Sequence, residues 1–266
     1  MTNRETIMKT VKDIMSAIEE VAPLALQESY DNAGLQCGDP RQEVRRVLCC
    51  LDITEAVVEE AHALGCELVV SHHPLIFGGI NRIDPTHDYV SRTLMLAIRY
   101  GIALYSAHTN LDKAQGGVNH RLAEVLELQQ VEPMSECGVV GNLPVPMTPS
   151  ELIGMVCEKL GIDGLNSNEA FLTSHTDVVS MKLCRLALCG GSGAEFIAEA
   201  KQMGADAFLT GEIRYHSYFG QEEILLLEAG HYETEQFTIG LLCDIVGKTG
   251  VEAIATSVNT NPRIRF

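Results

Sequence analysis

Two adjacent histidines, His72 and His73, close an apolar stretch and are followed by Pro74. A neutral imidazole offers one lone pair to a metal or a proton. A proline restrains both its own backbone and that of the residue before it, so this turn is stiff enough to hold two ligands. His108 and Asp112 lie four apart after a second apolar stretch, and His231 and Glu235 lie four apart after a third. That spacing puts both groups of each pair on one face of a helical turn, as metal ligation requires. Each pair alone also fits a polar turn or a polar helix start.

The elements expected around these residues explain how groups so far apart could meet. Ile7, Val11, Ile14 and Ile18 recur at helical spacing and predict an amphipathic helix over 4–20. Residues 21–40, with Pro23, Gly34, Gly38 and Pro40, carry turn chemistry and little regular structure. Strands are expected at 44–51, 67–71 and 102–107, and helices at 54–64, 86–100 and 117–126, with Gly65 and Gly101 as stops. Such alternation predicts a parallel sheet with helices packed on it. A strand at 223–228, a helix over 233–248 and a strand at 252–257 end the chain. The three histidine-bearing segments thus each follow a strand. In a parallel sheet the C-terminal strand ends share one edge, where open α/β sheets bind ligands.

Between these parts come a strand at 137–143, a helix over 149–160 capped by Thr148 or Ser150, a polar stretch at 161–180, a strand at 182–188, a helix over 193–203 and a strand at 207–210. Arg46–Ser71 aligns without gaps on Arg185–Thr210, matching Cys50 with Cys189, Glu60 with Glu199 and Gly65 with Gly204. A duplication would give this match, and so would two unrelated strand–helix–strand units. The expected fold is therefore α/β, with two related lobes and mainly parallel sheets, and a site at the strand C-terminal ends facing the inter-lobe cleft. Residues 1–126 plus 225–266 form the lobe bearing the site, and 127–224 form the second. Glu212, Tyr215 and His216 follow the strand at 207–210; Glu212 and His216 are catalytic candidates if they face the site, and an exposed polar loop if they do not. The turn Gly190, Gly191, Ser192, Gly193 either cradles a phosphate at a helix start or is a plain tight turn; it lacks the lysine of a P-loop.

A net charge of −17 and basic clusters no longer than Arg41, Arg45, Arg46 and Arg263, Arg265 argue against a nucleic-acid groove. No apolar run reaches the roughly 18 residues of a membrane helix, and residues 1–20 lack the apolar core of a secretion signal. Nine scattered cysteines without metal or redox spacing are expected to be reduced, and Cys49, Cys50, Cys66, Cys184, Cys189 and Cys243 to sit in or beside the core. The expected compartment is the cytoplasm.

The segments Ser71–Phe77, His108–Asp112 and Gly230–Glu235, with Asp31–Leu35 and Thr210–Glu212, resemble the signature of the GTP cyclohydrolase 1 type 2 homologue family, also called NGG-one-interacting-factor-three-like. The resemblance runs from about residue 20 to the end, in the short form without the inserted middle domain of larger members. It implies a dinuclear metal site with ligands His72, His73, Asp112, His231 and Glu235. By analogy Glu235 bridges, His73 and Asp112 hold one ion, and His72 and His231 hold the other. His108 is then a further ligand, an acid/base group or a histidine that orients Asp112. The resemblance also implies a homohexamer, a trimer of dimers.

Imidazole and carboxylate ligands without thiolate suit two divalent ions of Zn, Fe, Mn, Co or Ni. Two ions about 3.5–4 Å apart lower the pKa of a water between them and make it a nucleophile toward carbon or phosphorus. The expected function is a metal-dependent hydrolase acting on a cyclic amide or nucleotide-like small molecule. The alternatives are a non-enzymatic metal-binding adaptor or metal-handling protein, and a two-metal phosphoesterase.

The charge alone supports one prediction. Fluorescence anisotropy should detect no duplex-DNA binding at physiological salt. A micromolar complex whose affinity falls about tenfold or more per decade of salt would reveal phosphate contacts and overturn it.

Overall fold

Residues 8–264 are described in a computed structural model. The chain divides into two compact units, one formed by the residues up to Ala114 with those from Thr238 on, the other by Gln115–Phe237.

The larger sheet of the first unit runs in the order Glu252–Ala255, Arg46–Cys50, Leu68–Ser71, Ala103–Ser106, Gly34–Cys37. The first four strands are parallel; Gly34–Cys37 is an antiparallel edge. The strands Leu68–Ser71 and Ala103–Ser106 are buried at every position, which is why they read as unbroken apolar runs. Leu48, Val69 and Leu104 share a core with Val57, Val58, Ala61, Leu94 and Ala97 of the helices Glu55–Leu64 and Tyr89–Tyr100. The helix Thr238–Gly247 packs on the strands Arg46–Cys50 and Glu252–Ala255, and Val11–Val21 packs on that helix. Local signals explain the helix ends. The Thr54 side chain accepts from the Val57 N–H, and Gly65 and Gly101 close their helices in the left-handed conformation.

The second unit holds a mixed sheet in the order Gln129–Pro133, Val139–Met147, Leu183–Cys189, Ala207–Thr210, Leu225–Glu228, Asn166–Ser167. Its three central strands are parallel and its outer pairings antiparallel. Alternate residues feed two cores: Leu186, Leu188 and Leu209 lie in one with Leu152 and Val156, and Ala187, Cys189 and Phe208 in the other with Ile197 and Ala200.

Several expectations change. Leu225–Glu228 pairs with Ala207–Thr210, so residues 225–237 belong to the second unit, and the divisions fall after 114 and 237 in place of 126 and 224. The single helix expected over 233–248 is two, His231–Glu235 and Thr238–Gly247. The break arises because Phe237 packs into the core of the second unit, while Leu241, Leu242 and Ile245 are buried in the first. Sheets described as mainly parallel are mixed in the second unit. The stretch 21–40 contains the edge strand, and the polar stretch 161–180 contains Asn166–Ser167 and the helix Glu169–Ser174. The helix expected from Thr86 starts at Tyr89, capped by Asp88. Cys184 is exposed, because it points outward beside buried Leu183, while Cys49, Cys50, Cys66 and Cys189 are buried and Cys243 partly so. The helix expected from residue 4 is Val11–Val21; Ile7 and Arg265 lie outside the described residues.

The internal match holds in three dimensions. Val47, Leu48, Cys49 and Cys50 pair with Leu68, Val69, Val70 and Ser71; at the matched positions Leu186, Ala187, Leu188 and Cys189 pair with Ala207, Phe208, Leu209 and Thr210. Glu67 accepts the backbone N–H groups of Arg45 and Arg46 at 2.9 and 3.1 Å. Asp206, at the matched position, accepts those of Cys184 and Arg185 at 2.6 and 2.9 Å. A carboxylate thus fixes the same strand start in each unit.

Glu67→Ala and Asp206→Ala should each lower stability by about 1–2 kcal/mol, since each removes two charge-assisted hydrogen bonds at an exposed site. Urea unfolding would measure this. Wild-type midpoints in both variants would show the pairs to be inert.

Candidate functional site

The strand ends of the first unit bring three imidazoles together. Ser71 and Ser106 are aligned in register, their hydroxyls 2.8 Å apart, and the Ser71 hydroxyl donates to the His73 carbonyl at 2.7 Å. This fixes the backbone on which His72 and His73 stand. His72 is fully buried, and its Nδ1 donates to the Ala107 carbonyl at 2.8 Å. The carbonyl only accepts, so Nδ1 carries the proton and Nε2 the lone pair. His73 Nδ1 donates to Asp52 Oδ1 at 2.7 Å, and Asp52 Oδ2 accepts from the Thr260 hydroxyl at 2.7 Å. His108 Nδ1 donates to Asp31 Oδ1 at 2.7 Å.

Asp31 is held in turn by the Thr109 N–H at 3.1 Å and by the Thr109 hydroxyl. Burial pushes the Asp31 carboxyl up, but the hydrogen bonds from His108 and Thr109 outweigh it and hold the group well below the usual carboxylate range. Asp52 is lowered in the same way: burial raises it, and the bonds from His73 and Thr260 prevail. Both are therefore charged acceptors that orient a ring.

With Nδ1 committed in all three, one ring nitrogen from each of His72, His73 and His108 lies within 4.8 Å of the others. The ring centres are 4.8 to 5.5 Å apart. Asp112 is delivered by the short helix Thr109–Lys113, whose fourth residue donates its N–H to the His108 carbonyl at 3.1 Å. Asp112 Oδ1 stands 3.5 Å from His72 Nε2.

The second unit supplies a separate group. His231 opens the helix His231–Glu235, so one turn brings its Nε2 to 3.1 Å from Glu235 Oε2. Its Nδ1 lies 3.6 Å from Glu212 Oε2. Glu235 is only 4% exposed. The glycine-rich turn exists to make room for it. At Gly191, with φ +63°, a Cβ would lie 2.3 Å from Glu235 Oε1 and 3.2 Å from His231 Nε2. Three of the turn's four N–H groups are already used: Gly190 donates to Asn119 Oδ1 at 2.8 Å, Gly191 to Thr234 Oγ1 at 3.1 Å and Gly193 to Thr210 Oγ1 at 3.0 Å. This favours the plain-turn reading over a phosphate cradle. His216 is exposed in the turn Tyr215–Tyr218, edge-on to Tyr215 and stacked with Phe219.

His72, His73, His108 and Asp112 are thus gathered in one unit, and His231, Glu235 and Glu212 in the other. The sequence reading missed Asp31 and Asp52 as orienting carboxylates. Asp52 stands just before the helix Glu55–Leu64, which is capped by Thr54. A signal was available, since Asp52 follows its strand as His72 follows the next. Asn32 and Gln36 also had no assigned role; Asn32 Nδ2 donates to the Ile76 carbonyl at 2.6 Å and Gln36 Oε1 accepts from the Ile76 N–H at 3.2 Å, clamping the segment beyond His73.

Comparison with known proteins gives a consistent result. The pattern of the Duf34/NIF3 (NGG1p interacting factor 3) family matches residues 9–262. The chain is 34% identical over 261 residues to the GTP cyclohydrolase 1 type 2 homolog of Lactococcus lactis, covering 95% of this chain and 98% of that protein. It is 34% identical over 235 residues to the protein so named in Clostridium perfringens, covering 85% and 86%. The fold is similar to that of the Staphylococcus aureus hypothetical protein SA1388, with a TM-score of 0.87 at 26% identity over 97% of this chain and 100% of that one. Among the described residues no helix is long and apolar enough to cross a membrane.

Gly65 and Gly191 are both left-handed, but a Cβ at Gly65 meets nothing within 4 Å. Each change to alanine should cost about 1–2 kcal/mol for backbone strain. Gly191→Ala should cost about 1–3 kcal/mol more for overpacking against Glu235. Equal losses in chemical unfolding would show that Glu235 does not depend on this glycine.

Proposed function

The chain belongs to the Duf34/NIF3 family, and on that premise we propose that it holds two divalent transition-metal ions and works as a metal-dependent hydrolase on a cyclic amide or nucleotide-like small molecule. The proposed ligands are His72, His73 and Asp112 from the first unit and His231 and Glu235 from the second. One observation carries the proposal: His72, His73 and His108 each have Nδ1 tied to a carbonyl or carboxylate, and one ring nitrogen of each lies within 4.8 Å of the others. A ligand histidine needs this arrangement, and a carboxylate behind the ring raises its basicity. The donor set fits Zn, Fe, Mn, Co or Ni. The 3.5 Å approach of His72 Nε2 to Asp112 Oδ1 supports these two on one ion, in place of the pairing of His73 with Asp112 that the resemblance implies.

When bound, such a pair of ions would supply an activated water and a Lewis acid. The chain's own residues do the rest. Asp31 and Asp52 hold the His108 and His73 rings at a set angle and tautomer. His108 then presents its other ring nitrogen for proton transfer to the leaving atom of the substrate. Glu212 and His216 are the next candidates for that role. The name of the Lactococcus and Clostridium relatives points to a GTP-like ring as the substrate. Assembly as a homohexamer in the cytoplasm belongs to the same proposal.

Protein purified without chelator should hold close to two transition-metal ions per chain by elemental analysis. His73→Ala or Glu235→Ala should lose metal and stay folded; full occupancy in both would sink the ligand assignment. A metal-replete sample screened against GTP, other nucleotides, cyclic amides and phosphoesters should show turnover that chelation removes. His108→Gln should then keep both ions and lose about 100-fold or more in turnover. Tight metal binding with no turnover across the screen would favour the adaptor reading.

A further inference from the structure

Of the nine cysteines, Cys137 and Cys189 stand out by position. Their sulfurs are 3.7 Å apart. Val139 pairs with Leu188, so Gly138 lies opposite Cys189. A Cβ at Gly138 would meet the Leu188 carbonyl at 2.6 Å and the Cys189 Cβ at 3.3 Å, so the two chains close up where the thiols meet. Cys137 is partly exposed and Cys189 is buried. Asn119 joins the pair to the turn beyond it: its Nδ2 donates to Cys137 Sγ at 3.4 Å, and its Oδ1 accepts from the Gly190 N–H at 2.8 Å. Cys189 runs directly into Gly190 and Gly191, the turn whose missing Cβ makes room for the Glu235 carboxylate.

We propose that Cys137 and Cys189 are a reversible disulfide site that acts on the hold of Glu235. The oxidant is a low-molecular-weight disulfide such as oxidised glutathione. The Cys137 thiolate attacks one of its sulfurs and releases one glutathione thiolate, which takes up the proton Cys137 lost. The Cys189 thiolate then attacks Cys137 Sγ in the mixed disulfide, forming the Cys137–Cys189 bond and releasing the second glutathione with the Cys189 proton. Two protein thiols are oxidised and one glutathione disulfide is reduced to two thiols. Partial exposure of Cys137 makes it the entry point. Bond formation draws the sulfurs from 3.7 Å to about 2.0 Å. Cys189 is continuous with a turn that has no slack against Glu235, so the shift reaches the carboxylate.

The effect on metal rests on Glu235 being a ligand, as proposed above; the disulfide itself does not. The full-length, zinc-loaded protein is equilibrated in glutathione redox buffers and digested without reduction by trypsin and a glutamate-specific protease, which places Cys137 and Cys157 on different peptides. Mass spectrometry should find a Cys137–Cys189 linkage that dithiothreitol reverses. Cys189→Ser should trap glutathione on Cys137, and Cys137→Ser should leave Cys189 a thiol. Oxidation should weaken zinc binding about tenfold or more in the wild type and leave Cys137→Ser unchanged, the range for disturbing the support of a metal ligand. Absence of the linkage overturns the site. A linkage without loss of zinc affinity, or equal loss in Cys137→Ser, overturns its action on Glu235. If the reduced protein binds no zinc, the ligand assignment fails, and the peptide map still tests the disulfide.

Discussion

An imidazole has two nitrogens, and what the second can do depends on what holds the first. In this protein the Nδ1 atoms of His72, His73 and His108 are held by the Ala107 carbonyl, Asp52 and Asp31. These partners come from different strand ends and loops, so the rest of the first unit has to be right before the rings are. Pairing Ser71 with Ser106 puts His72 beside Ala107, and pairing Cys50 with Ser71 brings the segment after Cys50 beside His73. A slip of one residue between these parallel strands would turn each side chain to the other face and break all three bonds together. The cores on both faces of the sheet, which bury its central strands at every position, oppose that slip.

The second unit uses the same strand–helix–strand frame to a different end. Carrying the match of Arg46 with Arg185 forward places Glu212 at the position of His73 and Gly191 at that of Asp52. One unit has an imidazole backed by a carboxylate. The other has a carboxylate 3.6 Å from His231 and a glycine that yields its volume to Glu235. The frame repeats down to the carboxylate that pins each strand start, Glu67 and Asp206, while the chemistry at the strand ends diverges. Stability and function are thus separated along the same element, with the pin at the start of the strand and the donor at its end.

Much of this was legible in order along the chain. The central strands and principal helices stand where apolar periodicity and Gly stops place them, because burial on both faces leaves an unbroken apolar run and a helix end needs a left-handed residue. The short pieces were not legible. Asn166–Ser167 and Gly34–Cys37 are strands only because a neighbour offers an edge to pair with. The helix expected over 233–248 could not be seen to break, since both halves have helical spacing; the break follows from Phe237 and Leu241 entering different cores.

The sequence by itself determined which side chains could do chemistry and that they follow strands, because residue type and apolar patterning are properties of neighbours in the chain. It also determined the family, through motifs that are contiguous. Only the tertiary structure decided that Asp31 and Asp52 orient His108 and His73, that Gly191 is a space for Glu235, and that His231 and Glu235 belong to the unit of Ala207–Thr210. Each of those facts is a distance between residues that are remote in sequence. Such distances are set by strand register and by what the side chains displace when they pack, and neither is written in local composition.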